Sequence, residues 1–324
     1  MKAMVCERFG GPEVLAEREV PDPAAPGPGE IQVRIAARGV QYVDVLMLAG
    51  QYQFRPEPPF IPGGEAAGHV VAAGPDVTGF AVGDAVMSRH TLGALAELGN
   101  AKAILCDKVP AGLTMAQAGV FRGAYTTAYH ALLQRGRMQA GEWVLIHGAA
   151  GGIGIAAIQM AKAFGAKIIA TAGSEEKRRA CLEEGADHAI DYRSGFVDQV
   201  KALTGGRGVD IVYDPIGAKV ADESLRCLAW GGRLLILGFL GGGPTNIRSN
   251  YLLIKGIDAI GVRIGGLNEA NPQLAIANMK VLIALAEEGK LRPRISHTFR
   301  LDQAAEALQV VIDRAVIGKA VLLS

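Results

Sequence analysis

The sequence predicts an α/β protein of two domains, one of them a doubly wound parallel sheet. Three observations carry this. The chain has 324 residues, more than the ~100–200 usual for one domain. Between about 121 and 265, apolar runs of four to six residues alternate with longer helical patterns, which implies βαβ units and a sheet covered on both faces. Residues 1–120 read differently, as an irregular all-β unit of short strands broken by Gly and Pro, and 266–324 form a third zone.

Taken in order, the first zone has apolar runs at Ile31–Ala36, His69–Ala73 and Ala85–Met87. Between them lie the turn-rich stretches Pro21–Glu30, Arg55–Gly64 and Ala73–Asp84. Proline removes a ladder donor and glycine supplies positive φ, so both punctuate strands. In the second zone Trp143–Ile146 reads as a buried strand and Gly152–Phe164 as a helix. Lys167–Thr171 and Glu175–Glu184 repeat the unit, and Asp210–Tyr213 and Arg233–Leu237 are further strands. The third zone predicts helices near Ala275–Glu288 and Leu301–Arg314, and strands at Arg294–Phe299 and Lys319–Leu323.

Composition narrows the function. Thirty-three Lys and Arg against 32 Asp and Glu give a net charge of +1, so no nucleic-acid partner is expected. No run reaches the ~18–20 apolar residues of a membrane span. The N-terminal MKAMVCERFGGPE lacks the apolar core of a secretory signal, and a cytoplasmic protein is expected. Cys6, Cys106, Cys181 and Cys227 are scattered, and the six histidines form no short-spaced set. No metal site is expected.

The sharpest motif is VLIHGAAGGIGIAAIQMAKAFGA (Val144–Ala166). An apolar strand runs into a small-residue turn that opens a helix. Gly148, Gly151 and Gly154 punctuate it, as glycines do in a dinucleotide fingerprint. The backbone of Ala150, Gly151, Gly152 and Ile153 is placed to hold a pyrophosphate at the helix N-terminus. An NAD site usually has an acid at the end of the second strand. Here Ala172 stands there, followed by Gly173, Ser174 and Lys177. Small, hydroxyl and basic residues accept a 2′-phosphate, which favours NADP(H). Arg178 and Arg179 read as the solvated face of the next helix. Tyr192 lies either against the adenosine or in packing, and His147, beside the turn, either fills the end of the first strand or touches cofactor or substrate.

The segment HGAAGGIGIAAIQMAKAFGA resembles the medium-chain dehydrogenase/reductase superfamily, and within it the zinc-independent, zeta-crystallin-like NADPH:quinone oxidoreductases. GVQYVDVLMLAGQY (Gly39–Tyr52), PFIPGGEAAGHVVAAGPDVTGFAVGDAV (Pro59–Val86), FRGAYTTAYHAL (Phe121–Leu132), GADHAIDYR (Gly185–Arg193) and a C-terminal LDQAAEALQ…GKAVL pattern extend the likeness over the chain. The resemblance implies a GroES-like, partly open β-barrel catalytic domain (1–120 and 266–324) around a Rossmann NADP(H)-binding domain (121–265). Gly39 and Gly63-Gly64-Glu65 stand where zinc-dependent members carry ligands.

The resemblance also implies roles. Tyr52 is the expected proton donor or carbonyl partner, with packing as the alternative. Gln41 stands where the family usually has Asn, and Asp44 anchors that loop. Arg122, Tyr125 and Thr127 lie in the segment bordering the nicotinamide, Thr127 being the expected contact. Gly238, Phe239 and Leu240, and Val262 and Arg263, follow strands that end at the same site. The implied function is NADPH-dependent hydride transfer to a quinone. The alternatives are reduction of an activated C=C bond, in an enone or enoyl-CoA, and a non-catalytic NADPH-binding or RNA-binding role. A homodimer is implied, with Arg248–Val262 as the segment to inspect.

Overall fold

The computed structural model describes every residue except Thr245. The chain divides into two compact units, Met1–Gly123 with Ile283–Ser324, and Ala124–Leu282. These limits assign 121–123 to the first unit and 266–282 to the second, where the sequence drew borders at 120/121 and 265/266.

The first unit opens with strands β1 (Lys2–Cys6), β2 (Leu15–Glu19) and β3 (Glu30–Val40), then helix α1 (Tyr42–Leu48). Strands β4 (Glu65–Ala73), β5 (Ala85–Arg89), β6 (Leu98–Lys102) and β7 (Cys106–Lys108) follow, then the short helix α2 (Met115–Ala118). Helix α3 (Phe121–Tyr129) leads into the second unit. There β8 (Trp143–Ile146), α4 (Gly152–Ala163), β9 (Lys167–Thr171), α5 (Glu175–Glu183), β10 (His188–Ile190), α6 (Phe196–Leu203), β11 (Val209–Asp214), α7 (Ala218–Cys227) and β12 (Leu228–Ile236) alternate. Next come α8 (Ser249–Lys255), β13 (Asp258–Gly261), α9 (Ile264–Ala270) and α10 (Pro272–Glu287). The chain then returns to the first unit with β14 (Ile295–Arg300), α11 (Ala304–Ile312) and β15 (Lys319–Leu323).

The second unit is a six-stranded parallel sheet in the order β10-β9-β8-β11-β12-β13. All six residues of β11 are buried, as suits a strand under helices on both faces; its apolar Ile211–Tyr213 lies between the buried carboxylates of Asp210 and Asp214. Strand order reverses between β8 and β11, and in such sheets ligands bind beyond the carboxyl ends of the strands at that switch point. Leu145, Ile169, Val212, Leu225 and Leu234 form its core.

In the first unit β3 is the hub. It pairs antiparallel with β4, β6 and β15, and it bends at irregularities after Gln32 and Ile35. The sheet runs β14-β15-β3-β4-β5-β7. Ile31, Val33 and Ile35 face one cluster with Val70 and Val86. Leu48, Leu308 and Leu322 lie in another.

The structure corrects the reading of residues 1–120 as purely β. Gly39–Tyr52 contains α1, whose first turn is closed by the Asp44 carboxylate accepting the Gln41 backbone N–H at 2.9 Å, a cap that offsets the orphan donors of a short helix. Leu301–Arg314 is a 3₁₀ turn at Leu301–Gln303 followed by α11 rather than one helix. Among the described residues, no helix is long and apolar enough to cross a membrane.

Candidate functional site

Five segments of the second unit follow the carboxyl ends of parallel strands. The first is the Gly-rich turn after β8. Gly148 has φ +58°, and the Gly151 N–H donates to its carbonyl at 3.0 Å. A Cβ on Gly154 would lie 2.5 Å from the carbonyl oxygens of Gly148 and Ala149. Both are backbone atoms that cannot swing aside, so glycine is required for α4 to start so close to the turn. Gly151 is the N-cap of α4, and the N–H groups of its first turn have no intrahelical acceptor. With the helix dipole they favour an anion such as a pyrophosphate. Ala150, Gly151, Gly152 and Ile153 are the residues placed there.

The second segment follows β9. Ala172 is buried. The Ser174 hydroxyl caps α5 by accepting the Lys177 backbone N–H at 3.2 Å. The Tyr192 ring stands over Gly173, where a Cβ would meet it at 3.2 Å, so glycine lets the ring close over the loop. Arg178 is not simply a solvated residue, as the sequence suggested. It turns back to donate to the Ala172 carbonyl and to Asp191, both at 3.3 Å. Hydrogen bonds from Arg193, with Arg178 alongside, hold the Asp191 carboxyl well below the usual range. Arg179 does lie on the exposed face, 3.8 Å from Glu183. The N-terminus of α5 and the Ser174 hydroxyl thus lie at one loop, with Lys177, Glu175 and Glu176 in the first turn of the helix; an N-terminus with a hydroxyl suits a phosphate group.

The remaining segments follow β11, β12 and β13. The buried Asp214 carboxylate accepts N–H bonds from Ile216 at 2.8 Å and Gly217 at 3.1 Å. Burial raises its pKa against those bonds. The Leu240 and Gly241 N–H groups then donate to the carbonyls of Pro215 and Ile216, so the loop carrying Gly238, Phe239 and Leu240 rests on the turn that Asp214 holds. Phe239 is half exposed. Val262 is buried and its N–H donates to Ile236, so it offers backbone rather than side chain. Arg263 pairs with Glu269 at 3.1 Å. Thr127, on α3, is half-buried. Tyr125 does not border open space: its buried hydroxyl donates to Gln159 on α4 at 2.7 Å, and burial keeps the phenol neutral.

His147 was read as strand-end filling or as a contact to cofactor or substrate. It is a hydrogen-bonded hub, 1 % exposed, with Thr171 at 3.0 Å from Nδ1 and Ser224 at 2.8 Å from Nε2. Burial pushes it down to about 3.

In the first unit Gln41 caps α1, and its amide lies beside Gly123, where a Cβ would meet Nε2 at 3.3 Å. Tyr52 is half-buried in the loop after α1. Behind them lies a cluster the sequence did not reveal. Glu65 accepts the Gly123 N–H at 2.7 Å on one oxygen and the Lys319 ammonium at 3.0 Å on the other. Both side chains are almost wholly buried. Asp44 is 2 % exposed. Burial, with Glu65 nearby, raises it to about 7 against hydrogen bonds from Gln41 and Gly63 and the charge of Lys319. Arg122 is buried and paired with Asp107, and burial lowers it to about 10. Nothing local links Glu65 to Lys319, 254 positions apart, so no sequence signal could have found the pair.

Among the described residues no group of three or more His, Cys, Asp or Glu could hold a metal ion. A Cβ on Gly39 would meet the Glu65 carboxylate oxygen at 2.5 Å, so the space a ligand there would need is filled.

Residues 27–136 match the family described as the alcohol dehydrogenase GroES-like domain, and 152–280 the zinc-binding dehydrogenase family. The quinone oxidoreductase of Homo sapiens is 35 % identical over 329 residues, spanning 100 % of this chain and 98 % of the relative. Quinone oxidoreductase-like protein 2 of Mus musculus is 35 % identical over 99 % of this chain and 91 % of its own length. The solved Escherichia coli quinone oxidoreductase complexed with NADPH shares 30 % identity and a TM-score of 0.92, with 100 % of both chains covered. The chain belongs to the quinone oxidoreductase branch of the medium-chain dehydrogenase/reductases. A second neighbour, mycobacterial Rv1454c complexed with NADPH, has 32 % identity and a TM-score of 0.92 over 100 % of both chains. This quinone oxidoreductase-like chain is thus an NADP(H)-dependent oxidoreductase with a GroES-like domain and a parallel Rossmann sheet.

Proposed function

We propose that this chain reduces a quinone with NADPH and without a metal. The observation that carries the reading is Glu65. Its carboxylate fills the space beside Gly39 and is already held by Lys319 and Gly123, leaving no Lewis-acid site to polarise an alcohol or simple carbonyl. When bound, NADPH supplies the hydride. The chain's part is then positioning, which suffices for an acceptor that is already electron-poor. Ala150, Gly151, Gly152 and Ile153 hold the pyrophosphate, with the backbone N–H groups of Gly152 and Ile153 in the first turn of α4 as donors. Gly173, Ser174, Lys177 and Tyr192 take the 2′-phosphate and adenosine. Thr127, Gly238, Phe239, Leu240, Val262 and Arg263 bound the nicotinamide end. Gln41 and Tyr52 face the acceptor, with the Tyr52 hydroxyl able to hydrogen-bond its carbonyl.

The test is NADPH oxidation by protein stripped of metal, with a simple quinone and a short enoyl-CoA side by side. Rapid turnover of the quinone alone, retained in Tyr52→Phe, is the expected result. Turnover of the enoyl-CoA that Tyr52→Phe abolishes would replace this reading with C=C reduction. Turnover of neither by NADPH-loaded protein would favour a non-catalytic binding role.

We read the protein as a cytoplasmic homodimer. All four cysteines are free and buried, as suits a reducing compartment. Strand β13 is an open edge, and Trp230, Leu253 and Ile254 beside it are 82 %, 84 % and 71 % exposed. Exposed edges and apolar clusters of this kind mark association surfaces. Light scattering after chromatography tests this: a dimer is expected, converted to monomer by Trp230→Asp.

A further inference from the structure

His147 lies between the two anion-binding loops of the second unit. It is the residue before Gly148, and Thr171 is the last residue of β9, just ahead of Ala172 and Gly173. Its ring joins the ends of β8 and β9 through the Thr171 hydroxyl, and it reaches Ser224 on α7. A backbone bond from the Ala149 N–H to the Thr171 carbonyl, 3.3 Å, runs parallel to this link. Phe196 packs edge-on against the ring with centroids 4.9 Å apart.

The proton positions follow from the acceptors. The Ser224 hydroxyl donates to the Val220 carbonyl at 2.7 Å, so its oxygen can only accept from His147. Nε2 therefore carries the ring proton, and Nδ1 accepts from the Thr171 hydroxyl, whose single proton goes to the ring at 3.0 Å rather than to the more distant Ile146 carbonyl at 3.4 Å. Every polar atom of the buried ring is satisfied in this one neutral tautomer, and such satisfied buried networks rigidify and specify a single arrangement. Neither ring nitrogen is left to touch a cofactor.

We propose that His147 is a positioning residue that fixes the register between the pyrophosphate turn, Gly148–Gly152, and the 2′-phosphate loop, Gly173–Lys177. The proposal rests on the assignment of those two loops to NADPH. A ligand gripped at two points binds far more tightly than its halves only while the two grips keep the spacing the ligand requires. The His147 ring and the Thr171 hydroxyl set that spacing from behind, and Ser224 anchors the ring to α7. Loosening the anchor should therefore weaken the whole ligand and spare its parts.

The test compares binding of NADPH, ADP and adenosine 2′-monophosphate by calorimetry to wild type, His147→Asn and Ser224→Ala. Ser224 belongs to neither loop, and its variant removes the anchor with little loss of volume. Asn keeps an amide near the Nδ1 position and cannot reach Ser224. Both variants are expected to raise the Kd for NADPH about tenfold, part of the gain that linkage supplies, and to leave both fragments within about twofold. Equal weakening of all three ligands would show local damage instead, and unchanged NADPH binding would show that the link sets nothing. Either result overturns the proposal. Ser174→Ala serves as the separate control: unchanged affinity for adenosine 2′-monophosphate would overturn the loop assignment itself, and the proposal with it.

Discussion

The two units meet their chemical tasks with opposite materials. In the second unit the turn we propose for the pyrophosphate is main chain: N–H groups at the start of α4, with Gly154 where a Cβ would collide. Behind it His147 is buried, neutral and fully hydrogen-bonded. In the first unit Asp44, Glu65 and Lys319 are gathered from α1, β4 and β15 and buried as a charged cluster. A site made of backbone fails when volume is added; one made of buried charge fails when a partner is removed. Asp44 and His147 should also respond to acid in opposite directions.

The largest expected effect is on the charged side. Lys319→Met leaves the Glu65 carboxylate buried without its cation and should destabilise the protein by about 3–5 kcal/mol, read from denaturant unfolding. Adding Glu65→Gln should recover part of this, since an uncharged pair strands nothing. If the single and double variants lose equally, the pair is not coupled and the contrast between the units weakens.

On the backbone side, Gly154→Ala puts a methyl 2.5 Å from two carbonyl oxygens. Overpacking of this kind costs about 1–3 kcal/mol, and the turn must shift, so NADPH binding should fall by much more than the melting temperature alone suggests. Fluorescence titration with NADPH checks this. Ser174→Ala should cost about 1 kcal/mol of helix capping and should weaken NADPH more than NADH. Equal weakening of both would place the 2′-phosphate elsewhere.

The smallest effect is also the most direct test of the comparison. Asp44 is raised to about 7 from 3.8. Between those values it is protonated in the folded chain and ionised in the unfolded one, so its contribution to stability is lost as pH rises. His147, lowered to about 3 from 6.5, is neutral when folded and protonated when unfolded, so its contribution is lost as pH falls. His90, lowered to about 4 by burial, behaves like His147. The stability deficit of Asp44→Asn relative to wild type should therefore shrink from pH 5 to pH 8, while that of His147→Asn should grow. Thermal melts at the two pH values decide it; parallel trends would mean that one of the two groups is not in the state its burial dictates.

The same contrast explains what could be read from the sequence. Strands β8 and β9 and helix α4 were placed to within a residue, because parallel strands under two helical layers are largely apolar and a tight βα turn must be small; β15 was placed by its short apolar run alone. NADP(H) was legible for a different reason: Ala172 stands where an NAD site usually has an acid, with Gly173, Ser174 and Lys177 after it. Helix α1 was missed because its seven residues are too short for a period to show against the surrounding Gly and Pro. The loop-clamping role of Arg178 was missed because its partner, Asp191, comes from the next βα connection. The Asp44–Glu65–Lys319 cluster left no trace in any one segment, since its members meet only when β15 lies beside β3. Tyr125 illustrates the remaining error. The direction of its hydroxyl depends on Gln159, 34 positions away, and could not be inferred.

That late meeting has a consequence for synthesis. Strand β15 supplies the antiparallel partner of Ala37–Val40 and the ammonium that neutralises Glu65, yet it is made after the whole second unit. At ~5–20 residues per second, roughly 10–40 s separate the emergence of Gly123 from that of Lys319. During that interval the parallel-sheet unit can complete itself, while the nascent first unit waits with an open strand and an unneutralised acid. A chaperone that shields sheet edges should therefore engage the residues 1–123 of the growing chain, and release them once β15 has been made.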